Sequence, residues 1–447
     1  MNNDYELFAA CVPDPQAERA HVARLLPGGT EPAAEQAAER PVARAPEGRR
    51  HRCAVLAWAG SGLMYLTGPK DGPPLAPAAP ILARASAVAA TIADLTARDG
   101  DPVLVDVNHV LAVRASLARW KRSGQVSANG SCRLLRAADG WLAINLARPA
   151  DAASVPALLG REFSGPPWPA LRAEAAIRPA AELAAQAQLL GIPASALDGV
   201  VTPSGAPVPP VRYTRHGQAG QSERLVLNLS ALWAGPLCGH ILARAGWRVI
   251  TVEDSRRPDP TRTAWPAFHA DLHNHGPAII LDFGSTPGRA ALARIADQAD
   301  VVIEASRPRA LAGLGLMPAQ WLAARAGRVW VSITGYGRDD PAQRVAFGDD
   351  AAIAGGLVAV APDLTPVFCG DAIADPLSGL TAALAVLAAA QAGGGLLADV
   401  AMSGVCADVA RPASGPLFAH PIRQRTSGAD DWTVGHEQVT EPVAAPC

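Results

Sequence analysis

Cysteine is scarce and shows no pairing pattern. The seven residues, Cys11, Cys53, Cys132, Cys238, Cys369, Cys406 and Cys447, are scattered and odd in number, and no CxxC occurs. A disulfide framework or zinc ribbon is disfavoured, and a reducing, cytoplasmic setting is expected. Long apolar runs are lacking too. The most apolar stretch, Leu380–Ala392, spans 13 residues, short of the ~20 that a spanning helix needs. It reads as a buried core helix, and no membrane partner is expected. The opening Met-Asn-Asn-Asp-Tyr-Glu has no basic start and no apolar run, so no secretory leader is expected. Excess charge is absent: the net charge is −2 and the pI about 6.6. Nothing suggests a nucleic-acid footprint. His269, His273 and His275 cluster without an HExxH or similar acidic motif, so a polar loop is favoured and no metal is expected.

What is present is a repeat. Residues 59–64 read Ala-Gly-Ser-Gly-Leu-Met and 353–358 read Ile-Ala-Gly-Gly-Leu-Val. Val105-Asp106-Val107 matches Ala398-Asp399-Val400. Between these anchors each copy has a Pro-rich loop and then an Ala-rich helical run. Only the later copy carries an aspartate at the start of that run: Asp375 stands opposite Ala83.

With 447 residues, 49% of them hydrophobic, the chain can bury a large core in two or more domains. Residues 1–50 read as a weakly ordered lead-in with one helix, Ala17–Leu26. Residues 51–199 hold the copy without the aspartate and then a smaller α+β unit. Within this unit Asp139-Gly140 marks a hairpin in Leu134–Leu146, and Ile177–Leu190 has helical spacing. Residues 200–222, with Pro203, Pro207, Pro209 and Pro210, read as a linker. Residues 223–411 alternate strands (Leu225–Leu229, Arg248–Val252, Ile279–Asp282, Val301–Glu304, Val329–Thr334) with helices. That alternation predicts βαβ units and a mainly parallel, buried sheet. Residues 412–447 read as a loose tail.

The turn after the first of these strands, Ser230-Ala231-Leu232-Trp233-Ala234-Gly235-Pro236, is not GxGxxG, and no Walker A occurs. Dinucleotide binding is disfavoured. Arg256, Arg257 and Arg262 follow one strand end, and Arg307 and Arg309 another. Basic groups at strand carboxyl ends suit a phosphorylated ligand, or are solvated surface charge. Asp371 and Asp375 lie four apart before a helix, where an N-cap with Pro376 at N1 is the plain reading.

Together these segments resemble the family III CoA-transferases, the group that includes formyl-CoA:oxalate and carnitine CoA-transferases and α-methylacyl-CoA racemases. Ala234–Gly239 with Gly246–Glu253 looks like the family's opening strand–helix–strand. Asp259-Pro260-Thr261-Arg262, Asp300–Pro308, Ser332–Gly337 and Ile373–Gly379 resemble later motifs in order. The resemblance covers about 225–410. Asp139–Ile144 and Arg178–Pro193 resemble the family's smaller domain, which normally comes second, so the order looks permuted with a partial duplication.

The resemblance implies an α/β fold, a Rossmann-like parallel sheet with a second, smaller α+β domain. It implies CoA transfer from an acyl-CoA to a small carboxylic acid through an aspartyl mixed anhydride and an aspartyl–CoA thioester. It makes Asp375 the nucleophile, with Gly355 and Gly356 or Asn129-Gly130 as oxyanion donors. It assigns Arg256, Arg262, Arg307, Trp233, Asn129 and Gly130 to CoA, a substrate rather than a permanently bound cofactor. It also implies a homodimer. The chain departs from the family pattern in Asn274-His275-Gly276-Pro277, which lacks the usual Lys, and in Asp349, where the racemases carry His. An acyl-CoA racemase or isomerase and a non-catalytic acyl-CoA-binding subunit are the alternatives.

Overall fold

The computed structural model describes residues 5–10, 15–28, 53–199, 202–203, 205, 208–411, 417–424, 430–434 and 437–443. Residues 53–118 are mainly helical: α1 (Ala54–Gly60), α2 (Ile81–Thr96) and α3 (Val107–Ala118). Asp106 caps α3 by accepting the His109 N–H. Next come β1 (Cys132–Arg136), β2 (Trp141–Asn145), α4 (Ala180–Leu189) and β3 (Ala194–Asp198). The strands form an antiparallel sheet with the short Thr202–Pro203 at its edge. One face packs on α4 through Leu142, Ile144 and Leu183. The other, with Cys132, Leu134 and Leu197, packs on Ile353, Val358 and Phe368.

The large sheet has seven strands. They are β4 (Val211–Arg215), β5 (Leu225–Asn228), β6 (Arg248–Asp254), β7 (Ile279–Leu281), β8 (Val301–Glu304), β9 (Val329–Thr334) and β10 (Leu396–Ala401). Their order is β4-β10-β9-β8-β5-β6-β7. All pair in parallel except β4, which lies antiparallel on β10. The chain leaves β5 first toward β6 and β7, then returns to β8 on its other side. A switch point therefore falls between β5 and β8, where open α/β sheets bind ligands beyond their carboxyl ends.

Around the sheet run α5 (Ala234–Arg244), α6 (Pro266–Leu272), α7 (Gly348–Ala354), α8 (Ala374–Gln391) and α9 (Met402–Ala410). The apolar run read as a core helix lies in α8, which is buried from Pro376 to Ala389. Its Ala and Leu residues are strong helix formers. Gly379 lets α5 approach: a Cβ there would stand 2.7 Å from the Ala234 carbonyl oxygen. Helix α2 packs on α8 inside one core that reaches from Val22 to Val439. No helix among the described residues is long and apolar enough to cross a membrane.

Two expectations need correction. The segment read as a linker contains β4, which closes one edge of the large sheet; its prolines stop at Pro210 and leave Val211–Arg215 free to pair. The segment read as a loose tail holds Leu417–Gln424, Trp432–Val434 and Glu437–Gln438, in a sheet with Tyr5–Ala10. Backbone pairing and buried Ile422, Trp432 and Val434 hold it. The lead-in helix is Pro15–Arg24, and 29–52 lie outside the described residues.

Candidate active site

Asp375 is the second residue of α8. The helix begins one residue after Ile373, so Asp375 does not cap it. The chain enters the helix through Ala372 at φ 41°, a conformation uncommon for a residue with a side chain. Asp375 N–H donates to the Ala372 carbonyl at 2.9 Å. The half-buried Asp375 carboxyl rests on Gly348, at the start of α7, and accepts its backbone N–H. A Cβ at Gly348 would stand 2.3 Å from both Asp375 Oδ2 and the Ala372 oxygen. Only glycine fits.

Three more carboxyl groups surround this point. Asp371 is fully buried and takes a two-pronged bond from Arg114, at 2.8 Å to Nε and 2.7 Å to Nη2. Asp349 accepts the Ala372 N–H at 2.9 Å and the Asn129 side-chain amide at 3.1 Å. Asp350 accepts from Asn145 at 2.9 Å and from the Phe347 N–H at 3.0 Å. Burial pushes Asp375 up to about 7, held in check by the Arg114 charge and raised further by Asp349 and Asp371. Burial, with the Asp371 charge, pushes Asp349 up to about 6. Burial likewise pushes Asp350 up to about 7. Asp349, Asp371 and Asp375 share one guanidinium, so the group of charges resists full ionisation.

Arg114 comes from α3, far from Asp371 in the sequence. Its guanidinium lies 4.9 Å from the Trp233 ring centroid and 5.7 Å from that of Trp120, within cation–π range. Trp233 is itself 1% exposed and packs edge-on against Phe268 at 5.0 Å. Trp233, expected to face CoA, is a buried floor beneath Arg114 instead.

The other expected residues divide. Asn129 belongs to the cluster through Asp349. Gly130 adopts φ 80° with open space at its Cα, but its N–H is spent on the Ser127 carbonyl. Gly355 and Gly356 end α7, and their N–H groups donate to Ala351, Ala352 and Ile353 carbonyls. They have no hydrogen left for an oxyanion. Arg262 is tied to Glu253 at 2.5 Å, and Arg256 faces Asp282 at 3.3 Å. Arg307 is different. Burial and the nearby charges of Arg148, Arg309 and Arg257 lower its pKa. Arg148 donates to the Gly191 carbonyl at 2.9 Å, and a Cβ on Gly191 would stand 3.4 Å from Arg307 Nη2. Arg148 also lies 5.3 Å over the Phe347 ring, next to Gly348. A basic patch thus joins the small sheet's unit to the switch point and to the Asp375 loop. Arg114, Gly348 and Arg148 carry no local motif; only their spatial neighbours mark them.

Residues 222–436 match the model of the family described as CoA-transferase family III. Succinyl-CoA–D-citramalate CoA-transferase of Chloroflexus aurantiacus is 32% identical over 178 residues, 37% of this chain and 43% of that protein. Succinate–glutarate CoA-transferase of Agrobacterium fabrum is 33% identical over 181 residues, 37% of this chain and 45% of that protein. A crystal structure of a CAIB/BAIF family protein from Brucella suis aligns with 28% identity and a TM-score of 0.40, over 43% of this chain and 56% of that one. The chain spans less than half the length of the two curated relatives it matches. Residues 222–436 are similar to the family III CoA-transferases.

Proposed function

We propose that the protein moves CoA from an acyl-CoA to a small carboxylic acid, with Asp375 as nucleophile. The observation that carries this reading is the placement of Asp375: a half-buried carboxylate on Gly348, beside an Arg114–Asp371 pair, in the region that matches the family. The Asp375 oxygen attacks the thioester carbonyl carbon, and CoA leaves as thiolate. The thiolate attacks the aspartyl carbonyl of the mixed anhydride, and the donor acid departs as carboxylate. The acceptor carboxylate then attacks the aspartyl–CoA thioester, and the thiolate returns to the new acyl group. Asp375 is regenerated, and no net proton is consumed. This is covalent catalysis by a carboxylate.

Among the oxyanion donors expected from the sequence, Asn129 has one amide hydrogen not engaged among the described residues, and we assign it to the thioester oxygen. Arg307, with Arg257, takes the CoA phosphates; Arg148, Arg256 and Arg262 already face carboxylates. CoA is a substrate, with no permanent cofactor in this reading. The strand order around β5 supports the Rossmann-like assignment.

Duplication and permutation draw support from the helices. Ala54–Gly60 and Gly348–Ala354 stand 294 residues apart and Ile81 and Ala374 stand 293 apart, while Gly62 and Gly356 both have positive φ, 84° and 78°. The small sheet's unit precedes the large sheet. A homodimer is expected. Four described free, buried thiols (Cys132, Cys238, Cys369, Cys406) support a reducing, cytoplasmic setting.

The test is intact-protein mass spectrometry after incubation with a panel of acyl-CoAs, with and without hydroxylamine. An acyl- or CoA-sized adduct is expected on wild type and absent from Asp375→Asn. Turnover in that variant should fall at least ~10³-fold with acyl-CoA binding retained. No adduct from any donor overturns the reading. One observation favours a second reading: Asp349, near 6, has a proton affinity suited to acid–base work beside Asp375. Racemisation then predicts α-proton exchange with deuterated solvent and no need for a second acid.

A further inference from the structure

A second group of side chains gathers where β6 turns into α6. Asp259 comes from the loop after β6, His269 from α6, and His273 from the residue that closes it. Four residues of helix bring the two imidazoles to one face, and the rings stack with centroids 4.2 Å apart. The sequence offers no acidic motif beside these histidines; the fold supplies one from ten residues upstream. One ligand atom from each of the three lies within 4.8 Å of the others. His269 Nδ1 and His273 Nε2 each stand 3.9 Å from Asp259 Oδ2. A tetrahedral ion at ~2.0–2.2 Å from each ligand would set neighbouring ligands roughly 3.4 Å apart. A contraction of about half an ångström on each Asp259–His edge, with a closing of the His–His edge, reaches that geometry.

The hydrogen bonding leaves room for an ion. Asp259 Oδ1 accepts the Thr261 N–H at 2.9 Å and its hydroxyl at 2.7 Å. Asp259 Oδ2 accepts the Leu232 N–H at 3.0 Å, and a second lone pair faces the rings. The His273 side chain is 8% exposed, yet its Nε2 finds no hydrogen-bond partner among the described residues. A buried polar atom without a partner costs free energy, and a metal ion would satisfy it. His269 Nδ1 meets the Thr261 hydroxyl at 3.0 Å; metal binding exchanges that bond for a metal bond and selects the Nε2–H tautomer. Two imidazoles and one carboxylate are a donor set for zinc-class ions, with a fourth position left to water. His275 stands beside His273, ring centroids 5.9 Å apart, with both ring nitrogens buried and unpartnered among the described residues.

We propose that Asp259, His269 and His273 form a zinc-class metal site. Its role is to pin the turn under the active loop. Asp259 holds the Leu232 N–H, and Leu232, at φ 72°, sets up Trp233. Trp233 leans on Phe268 of the same helix α6 and carries Arg114 above it. The ion is therefore structural, and the proposal stands whether or not the chain transfers CoA.

The experiment is calorimetric titration of the full chain, stripped with a chelator, with Zn2+ in metal-free buffer. Co2+ is added in parallel as a spectroscopic probe. One equivalent of Zn2+ should bind at micromolar Kd or tighter and raise Tm. Co2+ should give the intense visible bands of a low-coordinate site with nitrogen ligands. His273→Asn should weaken Zn2+ binding at least ~10-fold, while His216→Asn, an exposed position outside the cluster, should leave it unchanged. No stoichiometric Zn2+, or equal binding by wild type and His273→Asn, overturns the proposal. Should His273→Asn fail to fold, the Co2+ spectrum of the wild type decides: bands of a six-coordinate aqua ion reject the site.

Discussion

A carboxyl group near 7 is a poor nucleophile in acid and a good one only once ionised. Asp375 is such a group. The rate of adduct formation in a single turnover should therefore climb through pH about 7 and level off above it. A rate flat from pH 5 to 8 would contradict the assignment. The same shift has a thermodynamic side. The folded chain holds this proton to about 7, the unfolded chain only to about 4. Across that window the native state binds more protons, so stability falls as pH rises. Asp375→Asn removes this contribution. Its stability advantage over wild type should grow between pH 5 and pH 8 by about 1–2 kcal/mol, allowing for solvent at a half-buried carboxyl. Urea titrations at the two pH values measure it. Gly348→Ala acts through sterics instead, since its Cβ would drive Asp375 from its seat. A displacement near 1 Å should lower kcat about 100-fold, which steady-state kinetics reads directly.

At the scale of elements, α3 reaches the loop before α8 through one arginine. Removing one partner of a buried ion pair costs about 3–5 kcal/mol. Arg114→Met should lose that much, and the double variant Arg114→Met/Asp371→Leu should recover most of it; chemical denaturation of the four proteins closes the cycle. Elements were legible in the chain wherever a period or a turn residue spoke locally. Val301–Glu304 and Val329–Thr334 are continuous apolar runs, and Asp139-Gly140 sits in a real hairpin. Asp375, the proposed nucleophile, stood out through its motif. Arg114 was not, because its partner lies in another element and nothing in α3 marks it. Trp233 misled because a tryptophan at a strand–helix turn can floor a site as well as line it. β4 was hidden among prolines, since only its partner β10 makes it a strand.

The whole molecule is sewn together at its ends. Asp408, on α9, holds His21 Nδ1 at 2.5 Å and Arg24 Nε at 2.6 Å from the helix Pro15–Arg24. Arg84 of α2 donates to the Asp408 and Val409 carbonyls at 2.7 and 2.6 Å. With one core running from Val22 to Val439, tryptophan fluorescence and far-ultraviolet dichroism should report a single coincident thermal transition. Two separated transitions would mean that the small sheet, with its own cluster around Leu142 and Leu183, melts by itself. Arg114 and Asp371 lie 257 positions apart along the chain and touch in space. Inheritance follows from that contact. Were the gene cut between the small unit and β4, neither product would hold both partners of the Arg114–Asp371 pair.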